Sequence, residues 1–464
     1  MSEKFDQSLF KGYDVRGIYG QNLTEQSMLL IGKGFGTFLK EGKTIYLGKD
    51  PRVSSDSLSD SFVKGVTSCG VNIIRLGMVP TPQLTYAVAM KNCDGAEITA
   101  SHNPPIYNGV KMYYEGHDLS SEMMNEILQI ILLEKFRKSV NIGKVTDVSL
   151  NNEYVDYVSK KFTISKKIKI VVDTGNGACG LVAPLIYEKM GCKVEKLFTE
   201  PDGNFPNHPA DPHKEETLKW IKEKVVLSKA DLGIALDGDG DRVAFIDGMG
   251  RKVRSDDAVI VFSNYLLNTH KSSSVVFDIR MTDELSSQIS KNGGKPIQCA
   301  CGRTNVSKAM RENDAILGGE QTGHTFFKEI FYHDDAIFAG AKMIEILSNS
   351  SQSLASMIDV LAHYPSSPEL RIPVDNSKKY DLVKTAIGHF SKLSKSLNAQ
   401  VISIDGVRLN LPNGSWGLLR VSNTEPAITM RFEGKTKEDL QSVYELFSSF
   451  LSENNVNIPE SVPI

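Results

Sequence analysis

The stretch ADLGIALDGDGDR, residues 230–242, decides how this chain is read. Its first half is a short apolar run, which predicts a buried strand. Its second half places Asp237, Asp239 and Asp241 at alternate positions with glycines between them. Glycine lets the backbone turn tightly enough for carboxylate oxygens to converge, and a hard divalent cation such as Mg²⁺ is their natural occupant. An EF-hand counted from Asp237 needs Gly at its sixth position and Glu at its twelfth; Arg242 and Gly248 stand there, so that reading fails.

Working outward, the pattern of an apolar strand ending in a polar loop recurs in AEITASHN (96–103) and AILGGEQTG (315–323). Two further strand-like runs precede each of the three loops. They are TIYLGKD (44–50) and VNIIRLG (71–77), then KIKIVVDTGNG (167–177) and KVEKLF (193–198), then SSVVFDI (273–279) and KPIQCACG (295–302). Helix-period segments separate them, so the sequence predicts three related α/β units, each carrying a site loop after its third strand. Strand ends of open α/β sheets are where ligands bind, which lets three such loops face one cleft. Beyond about residue 365 the texture changes to LRIPV (370–374), a helical stretch at 381–397 and hairpin signals at Asp405-Gly406 and Asn413-Gly414. That predicts a separate C-terminal α+β domain behind a linker through Pro365 and Pro368. The expected domains are 1–148, 149–251, 252–364 and 365–464.

The bulk numbers agree with a multidomain globular protein. A chain of 464 residues exceeds what one core fills, and 41% hydrophobic with 23% charged residues is ordinary. With Lys+Arg 53 against Asp+Glu 56, the formal charge of -3 gives no global reason to bind nucleic acid or an anionic membrane. Any positive field must be local. The six cysteines lack zinc or redox spacing, and the N-terminal residues lack the apolar core of a signal peptide, so buried thiols and a cytoplasmic location are expected.

Three other loops carry chemistry. Ser101 follows a strand in TASHNPP (99–105); a serine hydroxyl needs activation to act as a nucleophile, and as a phosphoserine it would supply an oxygen to the metal of the aspartate loop. Lys111, on the strand-like return from that loop, is an acid or base if burial lowers its pKa. Glu320, Thr322 and His324 offer an acceptor, a hydroxyl and an imidazole suited to sugar hydroxyls. Arg420, Ser422, Asn423 and Thr424, with Arg431 on the following strand, suit a phosphate. Each loop taken alone is also an ordinary turn.

Taken together, FKGYDVRG (10–17), TASHNP, YNGVK, DTGNG, PDGNFPNHPADP (201–212), DGDGDR, GEQTGH and RVSNTEP resemble the α-D-phosphohexomutase superfamily, in particular its phosphomannomutase/phosphoglucomutase branch. The resemblance covers essentially the whole chain. It implies four domains around a central cleft, three of them related α/β units and the last α+β. It further implies Ser101 as phosphoserine and one Mg²⁺ held by Ser101, Asp237, Asp239 and Asp241. Phosphoryl transfer would pass through a hexose 1,6-bisphosphate that turns over in the cleft, interconverting hexose 6- and 1-phosphates. By the same resemblance Tyr13, Arg16, His102, Lys111, Arg242, Arg280, Arg303 and His324 line the cleft, with Lys111 and His324 the acid/base candidates. Arg420, Ser422, Asn423, Thr424 and Arg431 anchor the far phosphate, and Glu320 and Thr322 read sugar hydroxyls.

Two departures bear on sugar preference. Members of this branch often carry Lys where Arg280 stands and a TGH sequence where Cys301-Gly-Arg303 stands; both changes keep or add positive charge. GEQTGH is also similar to the GEQSGH of phosphoglucosamine mutases, which leaves a glucosamine mutase as the alternative. A metal-dependent sugar phosphatase could use the same serine and aspartates but has no need of a distant phosphate seat. A non-catalytic sensor would not need an activated nucleophile. Expected partners are small hexose phosphates, with no nucleic acid or membrane, acting on a monomer or weak homodimer.

Overall fold

The computed structural model describes residues 5–422, 425–458 and 461–462. Its strands form four sheets, and the first three share one plan. In the second unit the order is return strand Val243–Asp247, third strand Leu232–Leu236, first strand Lys169–Asp173 and second strand Lys193–Leu197. The third unit repeats it with Thr325–Phe327, Leu317–Gly319, Ser274–Asp278 and Lys295–Cys299. The first unit has Tyr107–Tyr114, Asp94–Ile98, Thr44–Lys49 and Asn72–Met78, widened by Val15–Ile18 at one edge and Val145–Asp147 at the other. In each, the first three strands are parallel and the return strand is antiparallel to the third.

This repeated plan explains the position of the loops. A parallel pair needs a helical crossover, whereas an antiparallel pair can be closed by a short turn. The segments that hold Ser101, the aspartate trio and Glu320 are these turns, each at the end of a central, buried third strand. They are therefore hairpin loops rather than strand-to-helix junctions, and each is braced on both sides.

The C-terminal domain is an antiparallel sheet of Leu370–Pro373, Ala427–Glu433, Trp416–Val421, Val407–Asn410 and Gln400–Ile402, packed against the helices Lys379–Leu397 and Lys437–Glu453. It is bolted to the third unit by Arg408. This buried guanidinium stacks 3.8 Å over Trp416, donates to Ile279 O at 2.6 Å and pairs with Asp283. Trp416 Nε1 donates to Glu433, whose carboxylate also accepts from Asp283 N.

One helix departs from the sequential plan. Ala336–Ser348 follows the third unit's sheet in sequence yet lies on the second unit's sheet, where Tyr187 Oη donates to Ile337 O at 3.0 Å. One apolar cluster thus runs from Ile170 and Leu232 through Phe262 and Phe277 to Phe338 and Leu347. Among the described residues no helix is long and apolar enough to cross a membrane.

Candidate active site

Ser101 sits at the tip of the first unit's hairpin loop, almost fully buried, in the left-handed region at φ 51°. For a residue with a Cβ that conformation costs on the order of 1–3 kcal/mol and persists only where the surroundings impose it. Its Oγ donates to Asp237 Oδ2 at 2.8 Å, joining residues 136 positions apart, and lies 3.1 Å from His102 Nδ1. The aspartate loop approaches so closely that a Cβ on Gly238 would meet the Ser101 carbonyl at 2.7 Å, and Gly240 takes φ 83° to complete the turn.

Asp237, Asp239 and Asp241 are all buried, with oxygens within 4.8 Å of one another. Lys111 Nζ lies 2.6 Å from both Asp239 Oδ2 and Asp241 Oδ2, and Thr81 Oγ1 donates to Asp239 at 2.9 Å. Two of the three carboxylates therefore share one ammonium. Asp239 Oδ1 and Asp241 Oδ1 are buried without a hydrogen-bond partner. Burial, together with Asp241 and Asp239, pushes the Asp237 carboxyl well above its usual range. Burial acts the same way on Asp241, but Lys111, His324 and Arg242 outweigh it and hold that carboxyl well below its usual range. Crowded, orphaned acidic oxygens in a water-poor turn are what a hard cation's oxygen ligands look like, so these residues fit a magnesium ion.

The acid/base candidates look different in three dimensions than along the chain. Burial favours a neutral Lys111, but Asp239 and Asp241 outweigh it and raise its pKa well above the ordinary lysine value. The condition set on Lys111, that burial lower its pKa, is not met: the two carboxylates keep it a fixed positive charge. His324 has both ring nitrogens engaged. Nδ1 lies 2.7 Å from Asp334 Oδ2, while Nε2 accepts from Arg242 Nε at 2.9 Å. The ring thus links Asp334 to Arg242. His102 stays neutral, its pKa driven well down by burial and then by Arg242 and Arg16.

These groups line one cleft with a cavity of about 610 Å³. Tyr13, Arg16, Ser101, His102, Lys111, Asp241, Arg242, Arg280, Arg303, Glu320, Thr322, His324, Arg420 and Ser422 all reach it. Lys11, Glu369, Arg371, Asp14 and Glu425 join them and were not singled out from sequence. Eight arginines and lysines among these give the cleft a positive lining in a chain of net charge -3. Arg16 is aimed by Asp14 at 2.7 Å and Asn103 at 2.8 Å, and Arg303 by Asp118 at 2.6 Å over the Tyr113 ring. Arg280 is held by Asp278 at 2.7 Å and reaches Glu369 of the C-terminal domain at 3.2 Å. Thr322 Oγ1 donates to Glu320 Oε2 at 3.0 Å, while Glu320 Oε1 is buried without a partner. Burial raises the Glu320 pKa.

At the C-terminal domain, Arg420 Nε donates to Asp405 Oδ2 at 2.8 Å, and Asp405 also accepts from Cys301 N across the domain boundary. Asn423 and Thr424 lie outside the described residues. Arg431 is not part of the cleft lining: its guanidinium lies 3.5 Å from Asp256 of the third unit. It is on the same side of its strand as the cleft-lining Thr429, but two residues farther along, about 7 Å beyond that residue. The assignment of Arg431 to the phosphate seat is corrected accordingly.

The loop at 420–426 has a support that sequence reading missed. Buried Lys379, the first residue of helix Lys379–Leu397, donates to Ser422 O and Glu425 O, both at 2.9 Å. Lys379→Met leaves both carbonyls without their charged donor and loosens the loop. Each such bond is worth about 1.5–3 kcal/mol, part of which is recovered from water, so KM for a hexose phosphate should rise about tenfold with kcat within about threefold. Steady-state kinetics on the purified variant checks this.

Comparison with known proteins gives a consistent picture. The four family models of phosphoglucomutase/phosphomannomutase match residues 7–138 (alpha/beta/alpha domain I), 152–250 (domain II), 254–364 (domain III) and 369–448 (C-terminal domain). A phosphomannomutase/phosphoglucomutase of Pseudomonas aeruginosa is 35% identical over 456 residues, covering 97% of both chains. A phosphoglucomutase of Neisseria gonorrhoeae is 34% identical over 454 residues, again covering 97% of each. The crystal structure of a phosphoglucomutase/phosphomannomutase family protein from Burkholderia thailandensis superposes with a TM-score of 0.90 at 30% identity, over 98% of this chain and 100% of that one.

Proposed function

Because the chain belongs to the phosphoglucomutase/phosphomannomutase family and is a hexose-phosphate mutase, we propose that Ser101 is its phosphoryl carrier, acting on mannose and glucose phosphates. The observation that carries this reading is the Ser101 Oγ contact with Asp237 in a cleft that Arg420 and Ser422 of the C-terminal domain also line. Asp237, Asp239, Asp241 and the oxygen on Ser101 would hold one Mg²⁺, which when bound neutralises charge on the oxygens of the transferring group.

The chain's own residues do the rest. Arg420, Ser422, Asn423 and Thr424 grip the phosphate that is not reacting, which orients the free hydroxyl at the other end of the sugar toward Ser101. Glu320 Oε1, buried without a protein partner, and Thr322 take sugar hydroxyls. Lys111, kept charged between two carboxylates, hydrogen-bonds the sugar oxygen that exchanges the phosphoryl group; the proton given up by the attacking hydroxyl ends on the departing Ser101 oxygen beside Asp237, and in the return transfer it goes back to the sugar oxygen that leaves. Arg242, oriented by His324 and Asp334, faces the transferring group and supplies fixed positive charge. After the first transfer the sugar carries two phosphates. It must reverse within the cleft so that the other phosphate meets Ser101, and a phosphate seat built from a guanidinium, hydroxyls and backbone N–H groups accepts either end. We read the chain as dividing at 148/149, 251/252 and 364/365, and as a cytoplasmic monomer or weak homodimer.

Phosphorus NMR on mannose, glucose and glucosamine 1-phosphates, side by side and primed with a hexose bisphosphate, tests the reading. Mannose and glucose should convert to their 6-phosphates faster than glucosamine, with little free phosphate. Stoichiometric phosphate release without isomerised sugar would establish a phosphatase instead, and preferred turnover of glucosamine phosphate would establish the alternative mutase.

A further inference from the structure

We infer that Arg52 is a positioning residue for phosphoryl transfer: it holds the Ser101 loop in the one backbone conformation that aims Oγ at the aspartate trio. This rests on the reading of Ser101 as phosphoryl carrier. Arg52 follows the first unit's first strand, away from every loop that carries a reacting group, and is buried at 2% exposure. All five of its N–H groups are spent inside the protein. Nε donates to Asp50 Oδ2 at 2.9 Å. Nη1 donates to Pro104 O at 2.7 Å and Tyr107 O at 2.9 Å. Nη2 donates to Ser101 O at 2.8 Å and Asn103 O at 2.7 Å.

The four carbonyls belong to a single hairpin turn, and one of them is that of Ser101 itself. The amide on the other side of Ser101 is fixed by the same pair of residues. Ser101 N donates to Thr99 Oγ1 at 2.9 Å, and Thr99 Oγ1 in turn donates to Asp50 at 2.9 Å. Arg52 thus holds the Ser101 C=O directly, while Thr99, itself held by Asp50, takes the N–H, and bonds on both sides are what a left-handed φ of 51° at a non-glycine residue needs in order to persist. From above, Phe205 of the second unit covers the guanidinium at 5.1 Å, so the clamp also ties the serine loop to the domain that bears the aspartates. A planar fork of five donors is specific to arginine; lysine supplies charge but only three donors from one point.

The test compares Arg52→Lys with the wild-type full chain in magnesium buffer. Glucose 1-phosphate turnover is measured together with the rate at which glucose 1,6-bisphosphate adds one phosphoryl mass to Ser101. Expected is a fall of about 100-fold in kcat and in serine phosphorylation, with KM within about threefold, since the phosphate seat is untouched. Phe205→Leu, which uncovers the guanidinium without removing a donor, should lower kcat about tenfold at unchanged KM, and it decides the matter if Arg52→Lys does not fold. Serine phosphorylation at the wild-type rate in folded Arg52→Lys, or KM rising in step with the loss of kcat, overturns the positioning role. Wild-type kinetics in Phe205→Leu does the same. A wild-type protein that gains no phosphoryl mass at Ser101 overturns the carrier reading itself, and the clamp's role falls with it.

Discussion

Ser101→Ala should lower mutase turnover by about four orders of magnitude or more while leaving the affinity for a hexose phosphate within about tenfold of wild type. The asymmetry follows from where the oxygen sits. Among the described residues Ser101 Oγ touches Asp237 and His102 and neither Arg420 nor Ser422, the groups proposed for the phosphate seat on a different domain. Removing it takes away the atom that carries the phosphoryl group without disturbing the groups that hold the far phosphate. The backbone should survive the change, since the bonds that fix residue 101 come from its main chain through Arg52 and Thr99. Steady-state kinetics with calorimetric binding of glucose 1-phosphate to the variant reads both halves. Turnover within tenfold of wild type would exclude a covalent route through this residue, and a parallel collapse of affinity would make it a binding group.

Stripping divalent metal with a chelator should lower activity at least about 100-fold, with recovery on adding Mg²⁺ but not Na⁺ or K⁺. It should also lower the thermal midpoint, because a ligand that binds only the folded state stabilises it by mass action. The sign comes from charge. Three buried carboxylates converge, only two of them paired with the Lys111 ammonium, and two of their oxygens have no hydrogen bond. Without a cation the folded state keeps like charges together in a poorly solvated turn, and unfolding relieves that repulsion. Asp237→Asn should show the same loss of activity without rescue by Mg²⁺. Full activity after exhaustive chelation, checked by elemental analysis, would remove the metal from the reaction.

The three strand runs of each unit and the polar loops after them were legible in the chain because short apolar runs of regular spacing are a strong local signal, and loops such as DGDGD and TASHNPP are conspicuous where those runs end; the strand order and the return strands that make these loops hairpins were not. The cooperation of the loops was legible only through the combination of motifs, since no spacing rule brings residue 101 to residue 237. What stayed hidden has a common physical character. Arg52 and Lys379 act on backbone carbonyls, which every residue possesses, so nothing in the sequence marks their targets. The roles of Lys111 and His324 depended on partners far along the chain: two carboxylates that keep the ammonium charged, and Asp334 with Arg242 occupying both imidazole nitrogens. Arg431 was misassigned because strand alternation gives the side on which a residue lies but not how far along the cleft extends. The Ala336–Ser348 helix is apolar on nearly every face, and such a helix carries no amphipathic cue to which sheet it covers.

That helix has a thermodynamic consequence. A polypeptide ending before it would leave bare the surface of the second sheet where Ile234 and Tyr187 meet Ile337 and Gly340, and would sever the apolar continuum they belong to. The middle half of the molecule should therefore melt as one cooperative body although it is built from two copies of a fold.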